Sequence, residues 1–202
     1  MGEEPSESSP PPSPDVPHVR AFVIHGHRSA AVELWGDEGL RAIARALPAE
    51  TRVRTVDELL LATAWTPVSD VQDWFVAVWD GPAGRSEPRF SKFLERSVDF
   101  GFGRVRRGLL KSGSVEQLTA RAPAVWRRQH THGELSSRIL TNEQGITTGA
   151  ITTLRGNPLI ETPLARFALA ETWRKIITLA GVRGAKQTHG LEDDALVARF
   201  TW

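Results

Sequence analysis

The apolar rhythm of the chain changes once, at Gly133, and that change limits the folds open to it. Upstream, hydrophobic side chains recur three and four residues apart, as along one face of a helix; downstream the interval falls towards two, as along one face of a pleated strand. Residues 115–135 (VEQLTARAPAVWRRQHTHGEL) carry the junction. An amphipathic segment runs into Ala122-Pro123, continues through Trp126-Arg127-Arg128, and passes at Gly133 into the first alternating stretch.

Downstream, residues 135–140 and 146–154 predict a hairpin across 142–145. Leu135 and Ile139 share one side of its first strand, and Ile146, Ala150 and Leu154 one side of its second. Gly156-Asn157-Pro158 stops it. Thr162-Pro163 then caps and opens what reads as the longest helix, with Ala165, Leu169, Trp173, Ile176 and Ala180 inward, Arg166, Arg174 and Lys175 outward, and Gly181 as its C-terminal cap. Residues 182–188 and 195–202 form a second hairpin through 190–194, its last strand alternating Leu196, Ala198, Phe200 and Trp202.

Upstream, residues 20–24 are β-prone. Ala31, Leu34 and Trp35 mark a short helix that Gly36 interrupts, and Asp37 caps a second one carrying Leu40, Ile43, Ala44 and Leu47 up to Pro48. Residues 56–64 supply a further apolar segment. Trp65-Thr66-Pro67 opens a helix with Pro67 in its first turn; Val71, Trp74, Phe75 and Val78 point inward, opposite Asp70 and Asp73, until Gly81-Pro82. Phe90, Phe93, Leu94 and Val98 trace the next helix, which Phe100-Gly101-Phe102-Gly103 breaks. Val105, Leu109 and Leu110 resume it beside Arg104, Arg106, Arg107 and Lys111. Ser114 caps a helix on which Leu118, Ala122 and Val125 align, Pro123 marking a kink or a fresh start. Helices followed by ββαββ give an α+β fold with a four-stranded antiparallel sheet. Residues 1–18, rich in Pro, Ser and Glu, read as a disordered tail, which leaves 19–202 as one domain, mainly helical over 19–132 and ββαββ over 133–202.

Composition narrows the chemistry. With no Cys there is no disulfide, thiolate metal site or thiol nucleophile, and a reducing, cytoplasmic setting is expected. No apolar run reaches the roughly 20 residues that cross a bilayer, and no secretory signal pattern opens the chain. Four acidic residues in the tail mask a net +5 over 19–202, too small an excess for a dedicated nucleic-acid binder. Arg104, Arg106, Arg107, Lys111, Arg121, Arg127 and Arg128 read as a solvated basic face. No G-x-S-x-G elbow and no phosphate-cradling glycine loop is present.

Two His-x-His pairs, His25/His27 and His130/His132, would each point two imidazoles one way on a strand and so start a metal site. Spacing alone assigns no metal to them, and both pairs lie beside glycine at element ends, where solvent-facing His is common. Asp70, Asp73, Glu95 and Asp99 read as polar helix faces turned to water. Seven Trp and no Tyr are unusual at this length. Most Trp belong to the core, while Trp74, Phe75, Trp126 and Trp173 are candidates to wall a cavity for a small apolar molecule.

Leu118, Arg121-Ala122-Pro123, Trp126-Arg127-Arg128, Gly133-Glu134-Leu135, Ala180-Gly181-Val182 and Phe200-Thr201-Trp202 together resemble a paralogous family of myxobacterial proteins, as does Ala64-Trp65-Thr66-Pro67 upstream. The C-terminal half is similar to the superfamily holding haem-nitric-oxide-binding, four-vinyl-reductase-type and Bet3-like domains. This resemblance implies helices on a four-stranded antiparallel sheet, frequent dimers, and a cavity used for haem, a small molecule or an acyl chain. The chain departs from the functional subsets: the haem-binding branch uses a Tyr-x-Ser-x-Arg signature, and Tyr is absent, as is the late Cys of vinyl-reductase-type domains. No functional residue carries over. The expectation is a non-catalytic, cofactor-free binding or sensory module for a small apolar ligand or a protein partner, possibly homodimeric; the alternatives are an interaction scaffold and a His-based metalloenzyme.

Overall fold

The computed structural model describes residues 15–58, 60–101 and 114–202. Among these the order is β1 (His18–Arg20), α1 (Phe22–Ala46), α2 (Ala49–Arg52), a π-helical turn (Val53–Asp57), β2 (Trp65–Pro67), α3 (Val68–Asp80) and α4 (Glu87–Gly101). After 102–113 follow α5 (Val115–Gln129), β3 (Glu134–Thr141), β4 (Thr147–Arg155), a 3-10 turn (Pro158–Ile160), α6 (Pro163–Leu179), β5 (Lys186–Glu192) and β6 (Ala195–Thr201). Residues 1–14 of the expected 1–18 tail, and the basic helix through Arg104, Arg106, Arg107 and Lys111, lie outside the described residues; the end of that tail is ordered, with His18 opening β1 and the Pro17 carbonyl accepting from the Val68 N–H at 2.9 Å.

The change of period at Gly133 is a change of architecture. β3 to β6 form one antiparallel sheet in the order β3-β4-β6-β5, with Leu154 opposite Leu196 and Ala150 opposite Phe200. Leu154, Leu196, Ala198 and Phe200 on its inner side are fully buried. α6 packs on β5 and β6, α5 leans on β3, and α4 ties α6 to α1. The predicted caps form: the Ser114 hydroxyl accepts from the Gln117 N–H, and the Thr162 hydroxyl from the Ala165 N–H. α5 runs unbroken through Pro123.

Several boundaries differ from the sequence reading. The strand near the start is His18–Arg20, paired with Trp65–Pro67, so residues 22–24 are helical and Pro67 is extended, the residue before the helix. α1 bends at Gly36 (φ 66°) instead of ending there; its 25 residues make it longer than the 17 of α6. The second hairpin closes in two residues, because Asp193 and Asp194 both take positive φ (46° and 58°), the turn that matches strand twist. Gly190 therefore pairs inside β5, opposite Val197.

Asp70 is the clearest reversal: it is fully buried, not solvated. Arg54 donates to both its oxygens (2.7 and 3.1 Å), Thr66 donates at 2.6 Å, and the Thr51 hydroxyl lies 3.1 Å from it and 2.6 Å from Asp73. A buried carboxylate persists only with such partners. Through them α2, the π turn and β2 are held to α3. Glu95 and Asp99, likewise expected in water, pair with Arg174 and Lys175 of α6.

α1 and α4 approach each other closely at Gly26 and Gly101. A Cβ built on Gly26 would lie 2.4 Å from the Ser97 carbonyl oxygen and 3.2 Å from the Gly101 Cα. Gly26→Ala should therefore cost about 2 kcal/mol or more despite the helix propensity that alanine gains. Gly190→Ala, with nothing within 4 Å of the added carbon, should change stability far less. Urea unfolding of both variants checks this, and equal small effects would contradict the close crossing.

Candidate functional site

Between the helices and the inner side of the sheet lies a cavity of about 180 Å³. α1 supplies Val23 and His27, α3 supplies Val71 and Phe75, and α4 supplies Ser97 and Val98. The far wall is α5, through Leu118, Ala122, Val125 and Trp126; the floor is Leu135 and Ser137 of β3 with Ala150 and Thr152 of β4, and α6 closes the side with Leu169, Trp173 and Ile177. The stripe Leu118, Ala122, Val125 thus faces open space. Arg121, Arg127 and Arg128, on the other side of α5, are exposed.

Of the four aromatic residues expected to wall a cavity, Phe75, Trp126 and Trp173 line this one, and Trp74 does not. Trp74 is fully buried in the core, its indole N–H donating to the Thr55 hydroxyl at 2.9 Å. Trp126 fixes the junction of the two halves: its N–H lies 3.2 Å from the His132 carbonyl and 3.1 Å from that of Gly133. Asn157 donates to the same His132 carbonyl at 3.0 Å. Gly133 itself has φ 90°, and a Cβ there would meet Asn157 at 2.8 Å. The residue at the change of rhythm is a glycine because the backbone turns left-handed against a packed neighbour.

The histidine pairs separate. His25 and His27 lie on α1, where i and i+2 point apart, while His130 is the extended residue after α5 and His132 lies in the bend beyond it. His25 donates from Nε2 to the Leu60 carbonyl at 2.7 Å, and His132 meets the Thr131 hydroxyl through Nδ1 at 2.9 Å. Neither lines the cavity. His27 and His130 do; His27, expected to face solvent, is buried, whereas His130 is half-buried. His27 is 4% exposed and packed against Phe93, Phe75 and Trp74, with ring centres 5.3, 5.5 and 6.0 Å away. His130 lies flat on Trp126, centres 3.6 Å apart. Neither nitrogen of His27, nor Nδ1 of His130, has a hydrogen-bond partner among the described residues. No group of three or more His, Asp or Glu among those residues could hold a metal ion.

Four of the five hydroxyls of the wall are already engaged. Ser97 donates to the Phe93 carbonyl (2.8 Å), Thr119 to that of Val115 (2.7 Å), and Ser137 and Thr152 lie 3.0 Å apart, within hydrogen-bond reach. Sequence reasoning missed this contrast. Composition had shown the residues, but only three-dimensional packing shows which polar groups are satisfied.

Burial pushes His27 down to about 3 and His130 likewise to about 3, from an ordinary value of 6.5, because an imidazolium would lose its hydration there. Both are neutral in the folded protein at pH 7. The unfolded chain protonates them near 6.5, so it binds more protons at lower pH. Their contribution is fully present above about pH 6.5 and is lost as pH falls towards 3, with a limiting slope of about 1.4 kcal/mol per pH unit for each histidine. Urea midpoints taken between about pH 7 and pH 5 should fall with pH, and His27→Leu should flatten the decline. A midpoint that ignores pH over this window would show that His27 is hydrated.

No family model and no curated protein sequence matches the chain. Solved structures do. The Fe(II) unliganded H-NOX protein of K. algicida superimposes with a TM-score of 0.60 at 6% identity, covering 90% of this chain and 95% of that one. An oxygen-binding H-NOX domain related to soluble guanylate cyclases gives 0.58 at 9% identity, over 90% of this chain and 94% of that one. A structure from work on haem redox potential and porphyrin distortion gives 0.59 at 9% identity, over 91% and 99%. The chain has an H-NOX-like fold, as the similarity of its C-terminal half to the haem-nitric-oxide-binding superfamily implied.

Proposed function

We propose that this protein is a non-catalytic, ligand-binding sensory module whose cavity receives a small, largely apolar molecule. The observation that carries the reading is the cavity between α1, α4, α5, α6 and the sheet, walled by aliphatic and aromatic side chains around a few polar atoms. Such a site is the default place for a small-molecule ligand. At about 180 Å³ it is close to the roughly 150 Å³ that admits benzene and below the roughly 300–1,000 Å³ of sites for drug-sized ligands.

The structural neighbours make haem the first ligand to consider. His27 and His130 are neutral imidazoles, the right chemistry for an iron ligand. The rest of the wall does not fit. Its volume suits about one small ring, not a macrocycle, and no lining residue among those described carries a charge that would meet propionates. The chain also has no Tyr with which to build a Tyr-x-Ser-x-Arg signature. The same fold is here read as a sensor for something smaller.

Calorimetric titration with toluene tests this. Saturable one-to-one binding is expected, with a Kd on the order of 0.1–1 mM. Ala122→Trp, which fills the cavity from α5, should weaken it about tenfold or more. No toluene binding by the wild type, or a stoichiometric complex with added haemin, would overturn the reading.

A further inference from the structure

We infer that the ligand carries one neutral hydrogen-bonding group, a hydroxyl or its equivalent, on an apolar body, and that the Thr172 hydroxyl of α6 receives that group. This rests on the cavity reading above and specifies its chemistry. Neutrality follows from the wall: no lining side chain among those described is charged, so a carboxylate or ammonium would enter without a counter-ion and lose its hydration.

The place of the polar group follows from which wall atoms are open. Ser97 and Thr119 donate to carbonyls of their own helices, Ser137 and Thr152 lie 3.0 Å apart, and the Trp126 N–H meets the carbonyls of His132 and Gly133. Both nitrogens of His27, and Nδ1 of His130, are shut off from the cavity as fully as from bulk water, so no ligand atom reaches them. Thr172 differs. It lines the cavity on the stripe of Leu169, Trp173 and Ile176, it is half-buried, and its hydroxyl is open to contact with no hydrogen-bond partner among the described residues.

The free state of this hydroxyl is a departure from its peers. Thr55, Ser97, Thr119 and Thr178 each donate to the carbonyl four residues earlier. Thr172 makes no such bond, so its proton and its lone pairs are both available. Hydroxyl and methyl leave one carbon, so a threonine that borders the cavity brings its hydroxyl to the wall. The competing open groups are the Gln129 amide and the second nitrogen of His130, together at the end of α5. Gln129 turns on three side-chain torsions at the last residue of its helix, and fixing them costs about what one hydrogen bond returns. Thr172 turns on one, in the middle of a helix that packs on α4, β5 and β6. It is the group already held in place for recognition.

Cyclohexanol and methylcyclohexane match in size and shape and differ in the hydroxyl, and neither absorbs where tryptophan does. Both are titrated into the full chain, wild type and Thr172→Val, and followed by tryptophan fluorescence and calorimetry. The variant should bind cyclohexanol about fivefold more weakly, the worth of one hydrogen bond, and methylcyclohexane within about twofold of the wild type. Thr172→Ser should keep most of the cyclohexanol affinity. Equal changes for the two ligands, no change for cyclohexanol, a wild type that takes the hydrocarbon alone, or a loss that follows Gln129→Leu instead, overturns the inference and leaves the cavity reading standing. Binding of neither by the wild type removes both. Where Thr172→Val fails to fold, proton NMR of the wild-type complex decides: the carbinol proton of cyclohexanol should show a cross-relaxation peak to the Thr172 methyl, and a peak only to groups at the end of α5 overturns the inference.

Discussion

The near-contact of two helix backbones at Gly26 and Gly101 governs the interior. Only where α1 and α4 meet without side chains between them can the next residue on α1 reach as far inward as His27 does. The same approach sets Phe90 and Phe93 of α4 into the core, with Phe93 against Trp35 and Phe90 against Trp79. α4 is held from its other side by α6, where Arg174 bridges Glu171 and Glu95 and Lys175 meets Asp99; Arg96 joins Glu33 of α1. Individually such half-exposed pairs contribute little. Here they fix the rotation of three helices whose inner faces are two walls of the cavity.

The cavity is a cost that the fold carries. At about 24 cal/mol per Å³, an unfilled 180 Å³ is worth roughly 4 kcal/mol of forgone packing, a large part of a domain's net stability. Ala122 on α5 and Ala150 on β4 stand where larger apolar residues would close it. Retaining small side chains around a space bordered by unsatisfied imidazoles is what a binding site requires and what a purely structural core avoids. An occupant that fills the space recovers that packing.

Much of the architecture was legible because it is written in period. The stripes of α3, α4 and α6, the first hairpin, and the caps Ser114 and Thr162 all follow from local spacing and local chemistry. What period could not show was depth. Asp70 sits opposite an apolar stripe, as a solvated residue would, and is buried because Arg54, sixteen residues earlier, folds back onto it. Leu118, Ala122 and Val125 align on one face, and nothing in their spacing separates a face that packs from one that borders a void. His-x-His suggested paired ligands through a strand period. The residue between the first pair is instead a crossing point, which turns His25 towards Leu60 and His27 into the interior. Trp74 was grouped with the cavity walls by its stripe, but its bond to Thr55 draws it away from them.

The interior is built around a neutral imidazole shut inside an apolar wall. The most direct measurement is the nitrogen NMR spectrum of the His27 ring in labelled protein, followed with pH and with added toluene. His27 should keep the neutral pattern well below the ordinary titration range, as burial to a value of about 3 requires, and its ring shifts should move on saturation with toluene, because His27 lines the cavity. Titration near 6.5, or a ring indifferent to saturating toluene, would contradict a buried imidazole on the cavity wall.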